Sequence, residues 1–256
     1  MRNKIFKYVL FSQLRSKMFF FYLILFLTLG FSVFYLGKDV AKALITITNL
    51  ILLIVPLFSI ITGAIYYYNS REFIEVLLTQ PIKRRAIFFG QYFGMTCALA
   101  LAFGIGLGVP LFAFDFGITS LLILISGISL TFCFTAIAFF IAIKNNDKAK
   151  GIGFAIINWF YFSVLYDGFI LLLLFLFNDY PIEKYLLFLT ALNPIDTIRI
   201  IILMQLDISA LMGITGAVFH EIFSTSVGLT LSLFVVALWI FVPLLLAYRR
   251  FNKKDF

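Results

Sequence analysis

Charge is scarce in this sequence: Asp, Glu, Lys and Arg together make 12% of its 256 residues, whereas 63% are hydrophobic. A soluble globular domain carries about 25% charged residues to face water, so that class is excluded. Histidine is nearly absent, with His220 alone. This excludes intramembrane metalloprotease and phosphatase chemistry, which needs several imidazole or carboxylate ligands, or a histidine with basic partners. Cysteine is limited to Cys97 and Cys133. Both fall in apolar runs, so no disulfide framework is implied and the thiols are expected to pack as small hydrophobes. No G-x-x-x-x-G-K-S/T phosphate loop occurs. Gly104, Gly106 and Gly108 lie inside an apolar run, where small residues let helices approach closely, so any ATP must be bound by another polypeptide.

What the sequence has in quantity is apolar runs of about 20 residues, the length needed to cross hydrocarbon. They fall near 18–36, 43–66, 88–113, 118–143, 151–177 and 227–248. The expected fold is an all-α integral membrane protein of six transmembrane helices, one domain over 1–256, with both ends on the same side. Basic residues are retained on the cytoplasmic side. Segments 1–17, 67–87, 144–150 and 249–256 hold 5, 4, 3 and 4 of the 20 Lys and Arg, leaving Lys38, Lys42, Lys184 and Arg199 for the opposite face. Both termini are therefore expected in the cytoplasm. The net charge of +8 follows from this topology and the anionic bilayer surface, and implies no nucleic-acid partner. Ala41-Lys42-Ala43 resembles a signal cleavage site, but the apolar run before it exceeds the ~7–15 residues of a signal core, so the first span is expected to be retained.

The polar stretches between spans carry their own pattern. In 1–17, Ile5, Phe6, Val9, Leu10 and Leu14 share one helical side and Lys4, Lys7, Ser12 and Arg15 the other, which predicts an interfacial helix under the headgroups. In "NSREFIEVLLTQPIKRR", Asn69 followed by Glu72 forms a capping-box-like start. Phe73, Ile74, Leu77 and Leu78 recur at helical spacing, and Pro81 forbids continuation. This predicts a short amphipathic helix over 69–80, shaped to dock on a soluble partner by its apolar side and charged flanks.

Residues 178–226 are rich in helix punctuation and predict short helices on the outer side. Asn193 is placed to cap a helix with Pro194 first and Asp196 third. Met204, Met212 and His220 offer soft ligands suited to Cu(I). Gly213 and Gly216 interrupt their spacing, so apolar packing and a surface histidine are the expected roles. Asp167 lies well inside the fifth run, and Trp159, Ser163 and Asp167 follow at i, i+4, i+8 with Asn158 beside them. Either Asn158, Ser163 and Asp167 line a polar seam, or the run breaks at Asp167-Gly168 and the carboxylate caps a helix near the outer interface.

Glu75-Val76-Leu77-Leu78-Thr79-Gln80-Pro81-Ile82-Lys83-Arg84-Arg85, followed by Phe89-Gly90-Gln91, resembles the loop between spans two and three of ABC-2 type permeases, with Gln91 where the family has Lys. The resemblance implies a coupling helix in which Glu72, Phe73, Glu75, Leu78, Pro81 and Arg84 meet the ATPase. It also implies a homodimer in the bacterial cytoplasmic membrane with two cytoplasmic ATPase subunits that carry ATP and Mg. Leu192-Asn193-Pro194-Ile195-Asp196, Gln205 to Gly213 and Thr215 to Phe219 resemble a subfamily, the permeases of the complex that matures nitrous-oxide reductase by supplying its copper centres. That resemblance implies that Asn193, Asp196, Arg199, Asp207, Met212 and Phe219 dock a periplasmic copper-handling protein, with copper on that partner and no cofactor on this chain. The permease would then transmit shape change, and metal need not cross the bilayer. The alternative is an ABC-2 exporter moving a lipid, glycan, peptide or drug through the dimer seam.

Overall fold

The computed structural model describes residues 2–37, 39–177, 188–205 and 226–254. Among these the helices are α1 (Arg2–Leu14), α2 (Lys17–Leu36), α3 (Val40–Asn69), α4 (Arg71–Leu78), α5 (Arg84–Phe114), α6 (Ile118–Lys144), α7 (Lys148–Phe160), α8 (Tyr166–Leu176), α9 (Pro194–Gln205) and α10 (Ser226–Lys253). A π-helical turn, Tyr161–Leu165, joins α7 to α8. Six stretches among the described residues are long and apolar enough to cross a membrane: α2, α3, α5, α6, the α7–α8 pair and Thr230–Lys253 of α10.

Polar residues set several of the starts. Ser16, Asp39 and Asp147 each stand just before a helix and accept from its first free N–H groups, those of Phe19, Ala41 and Ala149, as N-caps do. Pro56 lies within α3, and Pro110 lies within α5 without ending it. At ~1.5 Å per residue α3 and α5 are each roughly 45 Å long, more than the ~30 Å of hydrocarbon. Their surplus carries the chain into the interface.

Helices α3 and α6 pack together, α10 covers α6, and α1 and α2 lie against α5. One apolar core fills the middle of the bundle, around Phe26, Phe103, Ile123 and Phe134. A second core sits at the end that carries α1, α4 and the close of α10, around Tyr67, Phe88, Tyr92, Phe139 and Phe251. We call this the basic end, because the four Lys- and Arg-rich segments gather there.

The first helix turns Ile5 and Val9 to protein and leaves Tyr8 and Phe11 exposed. Ile5 and Val9 are buried against α5, and the chain approaches there only because α5 presents Gly90 and Gly94. A Cβ on Gly90 would lie 2.7 Å from Ile5 Cγ2, and one on Gly94 would lie 2.6 Å from Val9 Cβ. Of the three glycines at 104, 106 and 108, only Gly106 serves close approach, its missing Cβ falling 2.6 Å from the Leu23 carbonyl oxygen of α2, whereas nothing lies within 4 Å at Gly104. Gly94→Ala is expected to lower stability in detergent by about 1–3 kcal/mol through overpacking, and to expose α1 amides to hydrogen exchange. Gly104→Ala should match the parent or gain up to about 1 kcal/mol from helix propensity. Equal melting temperatures for the two variants would refute this account of the α1 contact.

Candidate functional sites

Helix α4 follows α3 after a single residue. Ser70 stands at its N-cap without a side-chain bond, while Asn69, expected there from sequence, is the last residue of α3 and accepts through Oδ1 from Lys148 Nζ at 2.8 Å. The helix is accordingly Arg71–Leu78, inside the predicted 69–80, because α3 outruns its apolar segment by three residues. Its apolar side faces its own membrane domain: Ile74 and Leu77 are buried, Leu78 packs on the same core, and Phe73 stacks on Tyr8 of α1 at 5.2 Å. Sequence reasoning offered that side to a partner, but the basic-end core takes it first. Exposed instead are Glu72, Val76, Thr79, Gln80, Pro81, Lys83, Arg84 and Arg85.

Two of the coupling candidates have internal partners. Glu75 accepts from Arg71 Nε at 3.1 Å one turn earlier. Arg84 Nη1 donates to the Asn252 and Lys254 carbonyls at 2.9 Å each, which ties the start of α5 to the last turn of α10. Gln91 is buried and accepts from the Tyr66 hydroxyl, so the position where the sequence departs from the permease pattern lies inside the bundle.

At the opposite end, four polar residues from two parts of the chain converge, with a backbone carbonyl from a third. Asn193 is fully buried; its Oδ1 accepts from Ile195 N at 3.0 Å as a helix cap, and its Nδ2 donates to Asp196 Oδ2 at 2.8 Å and to the Phe162 carbonyl at 2.9 Å. That carbonyl belongs to the π turn, where the i→i+4 ladder is interrupted and a backbone oxygen is left for another donor. Arg199 then bridges two carboxylates, Asp196 Oδ1 at 3.0 Å and Asp167 Oδ2 at 2.9 Å. Burial, with the neighbouring Asp167 charge, outweighs the attraction of Arg199 and pushes the Asp196 carboxyl up to about 7.

This cluster joins residues that the sequence placed in separate roles. Asn193 and Asp196 were expected to dock a partner, yet both side chains are turned inward in the protomer; Arg199 and Asp167 are the half-exposed members. The break in the fifth span falls at Tyr161–Leu165, not at Asp167-Gly168, through which α8 runs on. The extra residue in a π turn rotates the helix beyond it. Trp159 therefore bonds the Leu53 carbonyl of α3 and Asp167 bonds Arg199, while Asn158 Oδ1 and Ser163 Oγ have no partner among the described residues. Asp207, Met212, Phe219 and His220, and the Met204 side chain, lie outside the described residues. The Asp167–Arg199 pair was missed because 32 residues separate the partners. Its signal was present as one acidic residue in a span and one basic residue in the segment after it.

A profile of the ABC-2 family transporter proteins matches residues 40–256. The chain belongs to the ABC-2 family. It resembles "Probable ABC transporter permease protein NosY" of Stutzerimonas stutzeri at 28% identity over 232 residues, 84% of this chain and 82% of that protein. The protein of the same name from Pseudomonas aeruginosa is also 28% identical, over 228 residues, with the same coverage. The chain is thus the permease subunit of an ABC transporter. The matched region of this ABC-2 permease takes in α4 and the Asp167–Arg199–Asp196 cluster, while α1 precedes it.

A carboxyl whose folded pKa lies above its unfolded value favours the folded state in its protonated form. For Asp196, raised from 3.8 to about 7, the anchoring of α9 should be strongest below about pH 4 and weaken as pH rises toward 7. Asp196→Asn should flatten this part of the profile of thermal stability against pH in detergent. A profile unchanged by the substitution would show that Asp196 titrates normally.

Proposed function

We propose that this permease transmits ATP hydrolysis, carried out by a separate ATPase at the basic end, to a protein partner at the opposite end, in the maturation of the copper site of nitrous-oxide reductase. The observation that carries the coupling half is the disposition of α4. Its apolar side is fixed to the membrane domain, so force applied to it is not lost in local sliding, and its outward edge offers Glu72 and the Lys83-Arg84-Arg85 run to a soluble subunit. Positive-inside retention supports a cytoplasmic position for that end. The copper half rests on the likeness to two proteins named NosY and on the resemblance of residues 192–219 to permeases of the nitrous-oxide reductase system. Copper and Mg-ATP belong to the partners in this reading.

Half of the usual transporter membrane domain is present, so the working unit is a homodimer. A second reading, export through the dimer seam, draws on Asn158 and Ser163, whose side-chain oxygens lack partners among the described residues, in a span that is little packed within the protomer. The two readings separate by what co-purifies. An ATPase together with a soluble copper-handling protein supports transmission, whereas an ATPase alone after crosslinking supports export.

Glu72→Arg tests the coupling edge without disturbing an internal pair. Placing like charge across an interface costs several kcal/mol, so ATPase turnover of the reconstituted complex is expected to fall about tenfold or more while the permease keeps its melting temperature. Glu75→Arg should uncouple as well, with some loss of stability because it sets two cations one turn apart. Turnover unchanged in both would mean that α4 is not the coupling contact.

A further inference from the structure

A cleft of about 930 Å³ opens at the basic end between the closing turns of α6 and α10. Its mouth is lined by Lys144 of α6 and by Arg249, Arg250, Lys253 and Lys254 at the end of α10, and no carboxylate lines it among the described residues. Lys144, Arg249, Arg250 and Lys253 form no ion pair among the described residues. Lys254 donates to the Ile143 carbonyl at 2.9 Å, and burial draws its ammonium below the usual lysine range.

The floor is of the opposite kind. Phe140 and Ile143 from α6 and Leu246 from α10 line it. Phe140 precedes Lys144, and Leu246 precedes Arg250, by one helical turn on the same face. Both helices therefore change from apolar to cationic at the same level, where hydrocarbon gives way to headgroups. Retention of positive charge in cytoplasmic segments explains cations at this end. It does not explain five converging on one cleft from two helices. Lys148 and Lys150, four and six residues past Lys144, stand outside it.

We propose that this cleft binds an anionic phospholipid, with its phosphate among Lys144, Arg249 and Arg250 and an acyl chain along Phe140 and Leu246. A phosphate diester supplies the oxyanion such a cluster recognises, and basic pockets at the cytoplasmic ends of helices take anionic headgroups. The apolar floor selects a lipid over free phosphate, which would leave Phe140 and Leu246 uncovered.

The test uses the full chain purified in mild detergent and titrated with phosphatidylglycerol, phosphatidylcholine or inorganic phosphate, with bound molecules counted by native mass spectrometry. Phosphatidylglycerol should bind one site that phosphatidylcholine does not fill and that phosphate displaces poorly. With each surface cation contributing as lysine and arginine do near anionic lipid, Arg249→Ala with Arg250→Ala should weaken this binding about thirtyfold. Lys148→Ala with Lys150→Ala, the same loss of charge at the same end, should leave it unchanged. If the α10 pair fails to fold, Lys144→Ala on the other helix supplies the same comparison. Equal binding of the two lipids, equal weakening in both charge-loss pairs, or displacement by phosphate at the lipid's own affinity would each overturn the proposal.

Discussion

The contact on which the basic end depends is the seating of α1 in the glycine surface of α5. Ile5 and Val9 can lie this close to α5 only where Gly90 and Gly94 leave no side chain in the way. Once α1 is held there, Tyr8 is in position to stack on Phe73, which adds to the hold that burial of Ile74 and Leu77 gives α4. An eight-residue helix is far too short to be stable by itself in water. Its conformation is supplied entirely by these neighbours, so a change in α5 reaches the surface through α1 and α4.

Lipid explains why the rest of the bundle tolerates so many outward-facing aromatics. Phe175, Tyr35 and Phe116 are more than three-quarters exposed in the protomer, which in water would drive association but in hydrocarbon carries no such penalty. Polar side chains within the spans instead turn to the nearest backbone. Thr48, Thr96, Thr131 and Thr135 each donate to the carbonyl four residues earlier. The carboxylate of Asp167 pairs with Arg199 instead, while Asn158 Oδ1 and Ser163 Oγ have no partner among the described residues.

Much of this architecture was legible in one dimension, because crossing a bilayer demands about 20 apolar residues in a row. All six spans fall where hydropathy put them, and the Asn193-Pro194-x-Asp196 pattern corresponds to a capped helix start with Asn193 Oδ1 on the Ile195 amide. What was not legible depends on packing between distant segments. The true start of α4 was hidden because nothing local says that α3 continues through Tyr67, Tyr68 and Asn69, or that Lys148 would claim the Asn69 side chain. The amphipathic stripe of α1 was visible, but whether it faced headgroups or a helix was decided by Gly90 and Gly94, far downstream in the chain. The π turn has no sequence signature of its own and shows itself through Phe162, whose carbonyl serves Asn193.

The connection between the two ends can be argued from continuity. Along the chain, helix α4 joins α5 through the non-helical stretch 79–83 but joins α3 through Ser70 alone, whose N–H still bonds the Tyr66 carbonyl. Helix α3 then runs for 30 residues, roughly 45 Å, with one ladder bond missing at Pro56. It packs on α6 and α7, touches α9, and accepts the Trp159 indole N–H at Leu53. The fifth span is interrupted as well, since the π turn breaks its ladder just before Asp167, which holds Arg199. In the transmission proposed above, load placed on α4 would pass to α3, and Pro56 in α3 and the π turn in the fifth span are points where an interrupted ladder resists bending less than an intact one.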